Sequence, residues 1–234
     1  MSDGDVSSTT ALARRNLSAF AADLRSRESP LTGVVVASVL AVFVVQAVTA
    51  TRLGAPIGVV TAVVFVEEPV LAWLLSPFLH RDLAHLLANV AVVGFVGRVV
   101  EREFSTRDYA AFLVAAAVLA GLGGYLSKAA FTPDPVTAYG ASGIAYAVAG
   151  YALRLPFRDH PVRPDALAPE RVLATTTPAE RVAAVFGVAA VATVAVDVAT
   201  GPYLALDWLN GAHFVGLLVG AWTAGTHRRH RANR

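Results

Sequence analysis

The chain has 234 residues, 56% of them hydrophobic and 15% charged, with a mean hydropathy of +0.58, which is too apolar for an ordinary soluble domain and points to a membrane protein. It has no cysteine, which excludes thiol catalysis, disulfides and zinc sites built on thiolate. A net charge of +2 argues against a large nucleic-acid footprint, so the positions of the arginines matter more than their sum.

Residues 1–31 read as a polar tail without the short apolar core and small-residue cleavage site of a signal peptide. A bilayer core of about 30 Å needs about 20 helical residues. Six stretches meet this, at about 32–50, 82–100, 108–127, 139–155, 180–199 and 207–225. The stretch 53–79 is also apolar, but Pro56, Glu67, Glu68, Pro69 and Pro77 interrupt it, and it reads as an interfacial loop with room for short helices. Residues 154–180, rich in Pro and Arg, read as a connector with a short helix near Pro169, and 226–234 as a basic tail. Placing the N-terminus in the cytoplasm puts nearly every arginine inside and leaves only Arg52, Arg81 and Lys128 outside. The expectation is an all-α, six-span membrane protein with both termini cytoplasmic. No internal repeat is evident, which argues against an inverted-repeat transporter of small solutes.

In that topology the second, fourth and sixth spans all start at the outer face. They carry His85 and Asn89, Ser142, and His213, each within about two helical turns of its span's start, roughly 5 to 10 Å below the surface. A lone Ser in a membrane helix is more often a packing residue, and a lone His a buried hydrogen-bonding group. Four polar residues at one depth are not predicted by those separate explanations. Acyl transfer needs a nucleophile, a base and donors aimed at a developing oxyanion. Ser142 can attack and His213 is the natural base. His85 and Asn89, four apart, share a helix face and can offer two donors to one oxygen, with the Ser142 backbone N–H as a third. Each donor is worth about 3 to 4 kcal/mol in a transition state. Gly140 and Gly143 around the serine, and Gly216 and Gly220 after His213, allow two backbones to approach closely, which helix packing alone would also explain.

The segments "HRDLAHLLAN" (80–89), "GASG" (140–143) and "NGAHFVGLLVG" (210–220) resemble the three signature motifs of the rhomboid intramembrane serine proteases, in the expected order and spans. GxSG alone would be weak, since soluble hydrolases share it. The resemblance covers about 32–225. It implies a Ser142–His213 dyad without an acid, an oxyanion hole that includes His85 and Asn89, and a structural or cavity-lining role for His80. It also implies that Tyr146 carries the aromatic ring on which the catalytic imidazole stacks, and that Glu101 is structural. One departure is clear: where rhomboids often carry Trp-Arg in the first loop, this chain has Leu71-Ala72, with Trp73 next.

Two aspartates lie near the site in sequence. Asp207, six residues before His213, is on the wrong face for a triad and reads as an N-cap, and Asp197 reads as an interfacial residue near the outer end of the fifth span. A metal held by His80, His85 and His213 would lack a carboxylate at matching depth, so no metal or other cofactor is expected. Residues 200–206 (TGPYLAL) read as a mobile cap. The expected partners are single-span transmembrane proteins within the lipid bilayer of a prokaryotic cytoplasmic membrane, cut beside helix-destabilising residues. The competing reading is a non-catalytic protein of the same fold that binds transmembrane segments.

Overall fold

A computed structural model describes residues 18–23, 25, 28–67, 73–131, 139–157, 169–204 and 211–232. Among them there is no strand. The principal helices are α1 (Pro30–Leu53), α2 (Ile57–Glu67), α3 (Leu83–Glu101), α4 (Thr106–Phe131), α5 (Ser142–Ala152), α6 (Pro169–Thr175), α7 (Pro178–Leu204) and α8 (Gly211–Ala232).

Local chemistry sets the helix ends. α1 opens on Pro30, whose missing N–H has no partner to lose there, and closes on Gly54 at φ 62°, a left-handed cap that suits glycine. The Asp82 carboxylate accepts from the His85 backbone N–H at 2.7 Å and so starts α3. α7 opens with a reciprocal box, in which the Thr177 N–H donates to Glu180 at 2.8 Å and the Glu180 N–H to the Thr177 hydroxyl at 3.3 Å.

Among the described residues, four helices are long and apolar enough to cross a membrane: α1, α3, α4 over Thr106–Ala129 and α7 over Pro178–Thr200. Their outward faces expose Val34, Val45, Val114, Val185, Val188 and Val196, the inside-out pattern that lipid solvates. α5 differs from the expected span at 139–155. It has 11 residues, about 16 Å of helix, and nine of them are buried. The reason is enclosure: α3, α4, α7 and α8 surround it, so its length answers to protein packing and not to bilayer thickness. Two further expectations change. A π-helical turn at Val93–Gly97 interrupts the second expected span, and α7 runs through Gly201 and Pro202 to Leu204, so most of the expected cap at 200–206 is helix. Residues 205 and 206, Asp207, and the Leu71-Ala72 pair lie outside the described residues. The interfacial stretch at 53–79 contains α2, and the connector at 154–180 contains α6.

Glycines set how closely α5 and α8 meet. A methyl group on Gly216 would collide with the Gly143 carbonyl, one on Gly220 with the Ala147 carbonyl, and one on Gly150 would sit 2.5 Å from the Leu217 carbonyl. The two backbones are in contact with no side chain between them.

The end of the bundle opposite the Ser142 end of α5 is fastened by polar groups. The buried Glu101 carboxylate accepts from the Leu31 N–H at 2.9 Å and the Thr32 N–H at 3.0 Å, which satisfies two otherwise unpaired donors at the start of α1. The Thr32 hydroxyl lies 3.1 Å from the Tyr109 hydroxyl, which donates to the Gly97 carbonyl at 3.2 Å, inside the π-helical turn. Glu101→Gln keeps one acceptor oxygen but turns an amide toward the second N–H. With charge-assisted bonds at roughly 1.5–3 kcal/mol each, its unfolding free energy in detergent should fall by about 2 kcal/mol. A change within error in an SDS-unfolding titration would refute this role for Glu101.

Candidate active site

Ser142 is the first residue of α5, and the turn before it calls for glycine at position 140. Gly140 has φ 126°, a conformation that side chains rarely adopt. A Cβ there would also lie 2.7 Å from His85 Cε1 and 3.6 Å from Asn89 Nδ2. The absent side chain thus lets the HxxxN face of α3 press against the turn that delivers the serine. The Gly140 N–H donates to the Ser76 carbonyl at 2.8 Å, which ties the turn to the segment before α3. As the first residue of α5, Ser142 has an N–H with no acceptor in its own helix.

His213 lies in the first turn of α8, and its ring stacks on Tyr146 with centroids 4.1 Å apart and planes 6° from parallel. Tyr146 follows Ser142 by four residues, one turn along the same face. The α5–α8 contact therefore brings the serine helix and the histidine helix together at the level of both residues. Ser142, His85 and His213 are partly exposed, whereas Asn89 is buried.

His80 is fully buried at 0% exposure. Its Nδ1 lies 3.1 Å from the Phe78 carbonyl, which can only accept, so Nδ1 carries the proton. Burial pushes this imidazole down, to about 4, so the ring is neutral at pH 7 and Nε2 keeps its lone pair. That lone pair faces Asn89 Nδ2 at 3.1 Å and the Ala141 N–H at 3.4 Å. One imidazole thereby orients the Asn89 amide and the residue before Ser142. Beside it, Asp82 is held below the usual carboxylate range by the His85 backbone N–H and the Arg81 guanidinium.

Two residues passed over in the sequence support His80. The Gln46 side chain of α1 accepts from the His80 N–H at 3.1 Å and donates to the His80 carbonyl at 3.2 Å and to the Thr61 hydroxyl at 2.6 Å. Both are buried. The available signal was an amide within the apolar run "VFVVQAVTA". Asp197, expected at the interface, lies with Oδ2 3.9 Å from His213 Nδ1.

The chain is thus an all-α protein with several helices fit for a bilayer, whose serine, histidines and asparagine gather around one short enclosed helix. The description of the Rhomboid domain matches residues 67–230, more than two thirds of the 234-residue chain, and the chain belongs to the rhomboid family. Comparison with curated proteins gave no match.

Gln46→Leu keeps the bulk of the side chain but leaves the buried His80 N–H and carbonyl without their partners. At roughly 1–3 kcal/mol for each of the two orphaned groups, the protein should lose about 2–6 kcal/mol of stability. Thermal unfolding in detergent reads this directly. A loss under about 0.5 kcal/mol, within the ordinary effect of a neutral substitution, would show that the His80 peptide finds other partners.

Proposed function

We propose that this chain is an intramembrane serine endopeptidase that cuts single-span transmembrane proteins. The observation that carries the reading is the Tyr146–His213 stack, because it puts an imidazole against the helix that Ser142 begins. Ser142 Oγ attacks the scissile carbonyl carbon, its proton passes to His213 Nε2, and the carbonyl electron pair moves onto oxygen. His85, Asn89 and the Ser142 N–H supply donors to that oxyanion. Collapse breaks the C–N bond, and His213 protonates the leaving amine. A water molecule then attacks the acyl-enzyme by the same route and frees Ser142.

The fold is read as six spans, α5 and α8 completing the set, with both termini in the cytoplasm of a prokaryotic cell and the site near the outer face. A substrate helix arrives sideways between α3 and α7. Its own hydrogen bonds hide the scissile carbonyl, so it must unwind, which favours substrates with Gly, Ala or Pro near the cut. The partial exposure of Ser142, His85 and His213 supports access for water. The chemistry uses no metal or cofactor.

The test is reconstitution in liposomes with a model single-span substrate. Wild type should cleave it, while Ser142→Ala and His213→Ala should lose at least about 10³-fold in rate, as removal of a nucleophile or its base does. A fluorophosphonate should label Ser142, and labelling should require His213. Cleavage that survives in Ser142→Ala rules out the serine mechanism. Substrate binding without cleavage or labelling in wild type means a non-catalytic protein that binds transmembrane segments.

A further inference from the structure

Two helices, α5 and α7, frame His213. On the α5 side its ring is covered by Tyr146. On the α7 side stands Asp197, whose carboxylate oxygen Oδ2 is 3.9 Å from Nδ1, the ring nitrogen on the far side from Nε2. Nδ1 itself is shielded from solvent, while the Asp197 side chain is 35% exposed and the His213 side chain 20%. Thr193, four residues before Asp197, lies on the same face of α7, and its side chain approaches the Tyr146 hydroxyl while its own hydroxyl donates back to the Ala189 carbonyl at 2.9 Å. One face of α7 therefore addresses both members of the stacked pair, Thr193 toward the tyrosine and Asp197 toward the histidine. Among the described residues, the stacked Tyr146 and His85 of α3 are the other titratable groups near the His213 ring.

A carboxylate within an apolar helix is retained only where water or a partner compensates it. Asp197 is the acidic residue of α7 beyond its capping glutamate, in the run "VAAVATVAVDVAT". At 3.9 Å the pair is outside hydrogen-bond range yet inside ion-pair range. When His213 takes the serine proton, the ring becomes a cation with Nδ1–H directed to the α7 side. A carboxylate there stabilises the imidazolium and fixes the ring's rotation and tautomer, which is the service a third acidic member gives in other serine hydrolases.

We propose that Asp197 is a positioning residue for His213, a carboxylate on α7 that steadies the ring of the Ser142–His213 dyad. The proposal rests on the serine-protease reading above, and the experiment separates the two. The readouts are kcat and KM for the reconstituted model substrate and the rate at which a fluorophosphonate labels Ser142, each followed from pH 5 to pH 9. Asp197→Asn should lower kcat and the labelling rate about 10- to 100-fold with KM within twofold. The acidic limb of both profiles should also move to lower pH, because an imidazole that has lost its carboxylate gives up its proton more readily. Asp197→Glu should restore part of the rate. If the Asn variant folds poorly, Asp197→Ala assayed with and without added formate replaces it, and recovery with formate supports the proposal. An unchanged rate and pH profile, a defect confined to KM, or an Ala variant indifferent to formate would overturn it. If wild type neither cleaves nor labels, the serine-protease reading fails on its own account, before any Asp197 variant is measured.

Discussion

The backbone contact between α5 and α8 is the constraint on which the rest of the structure depends. Gly216 faces the Gly143 carbonyl and Gly220 the Ala147 carbonyl at separations where a single methyl group would collide. Without that approach, Tyr146 could not stack on His213 at 4.1 Å, and the first turn of α5 would stand a side chain's width from the first turn of α8. The contact also explains why α5 is short. Enclosed on all sides, it has no lipid thickness to match, and its eleven residues suffice to present Ser142 at one end and bury Tyr151 at the other.

A second set of interactions fixes what faces the serine from α3. It begins far away in sequence, with the Gln46 amide clamping the His80 peptide from α1, and passes through the His80 ring to Asn89 and the Ala141 N–H. Every group in that chain has a partner, which a buried polar network requires if it is to stiffen a site. The tautomer follows from the Phe78 carbonyl, since an acceptor at Nδ1 leaves Nε2 free to receive two N–H groups.

The polar residues of the site were legible in the sequence because an apolar background exposes them: Ser142, His85, Asn89 and His213 each stand out in an apolar stretch, and the six-span reading gives them a common depth. Their convergence followed from counting helices. The length of α5 was not legible, since hydropathy cannot tell a residue buried in protein from one buried in lipid, and Ile144, Val148 and Tyr151 would suit either. The π-helical turn at Val93–Gly97 leaves no periodic signature in five residues of Val, Gly and Phe. Gln46 was visible but stood in the first span, outside the layer defined by the other three. The partner of Asp197 depends on the rotation of α7, and α7 is apolar on nearly every face, so no hydrophobic stripe announces which side turns inward.

The two halves of the site differ in how firmly they are held, and the difference follows the burial of their polar atoms. On the α3 side, His80 and Asn89 are buried and bound by hydrogen bonds of 3.1 to 3.4 Å, so the donors they orient are held before any ligand arrives. On the α7 side, Asp197 stands 3.9 Å from His213 with a third of its surface open. α5 joins the two, with Gly140 pressed against the firm wall and Tyr146 stacked on the histidine of the open one. Ser142 at the head of that helix therefore lies between a wall of buried, hydrogen-bonded groups and the side that carries the partly exposed His213.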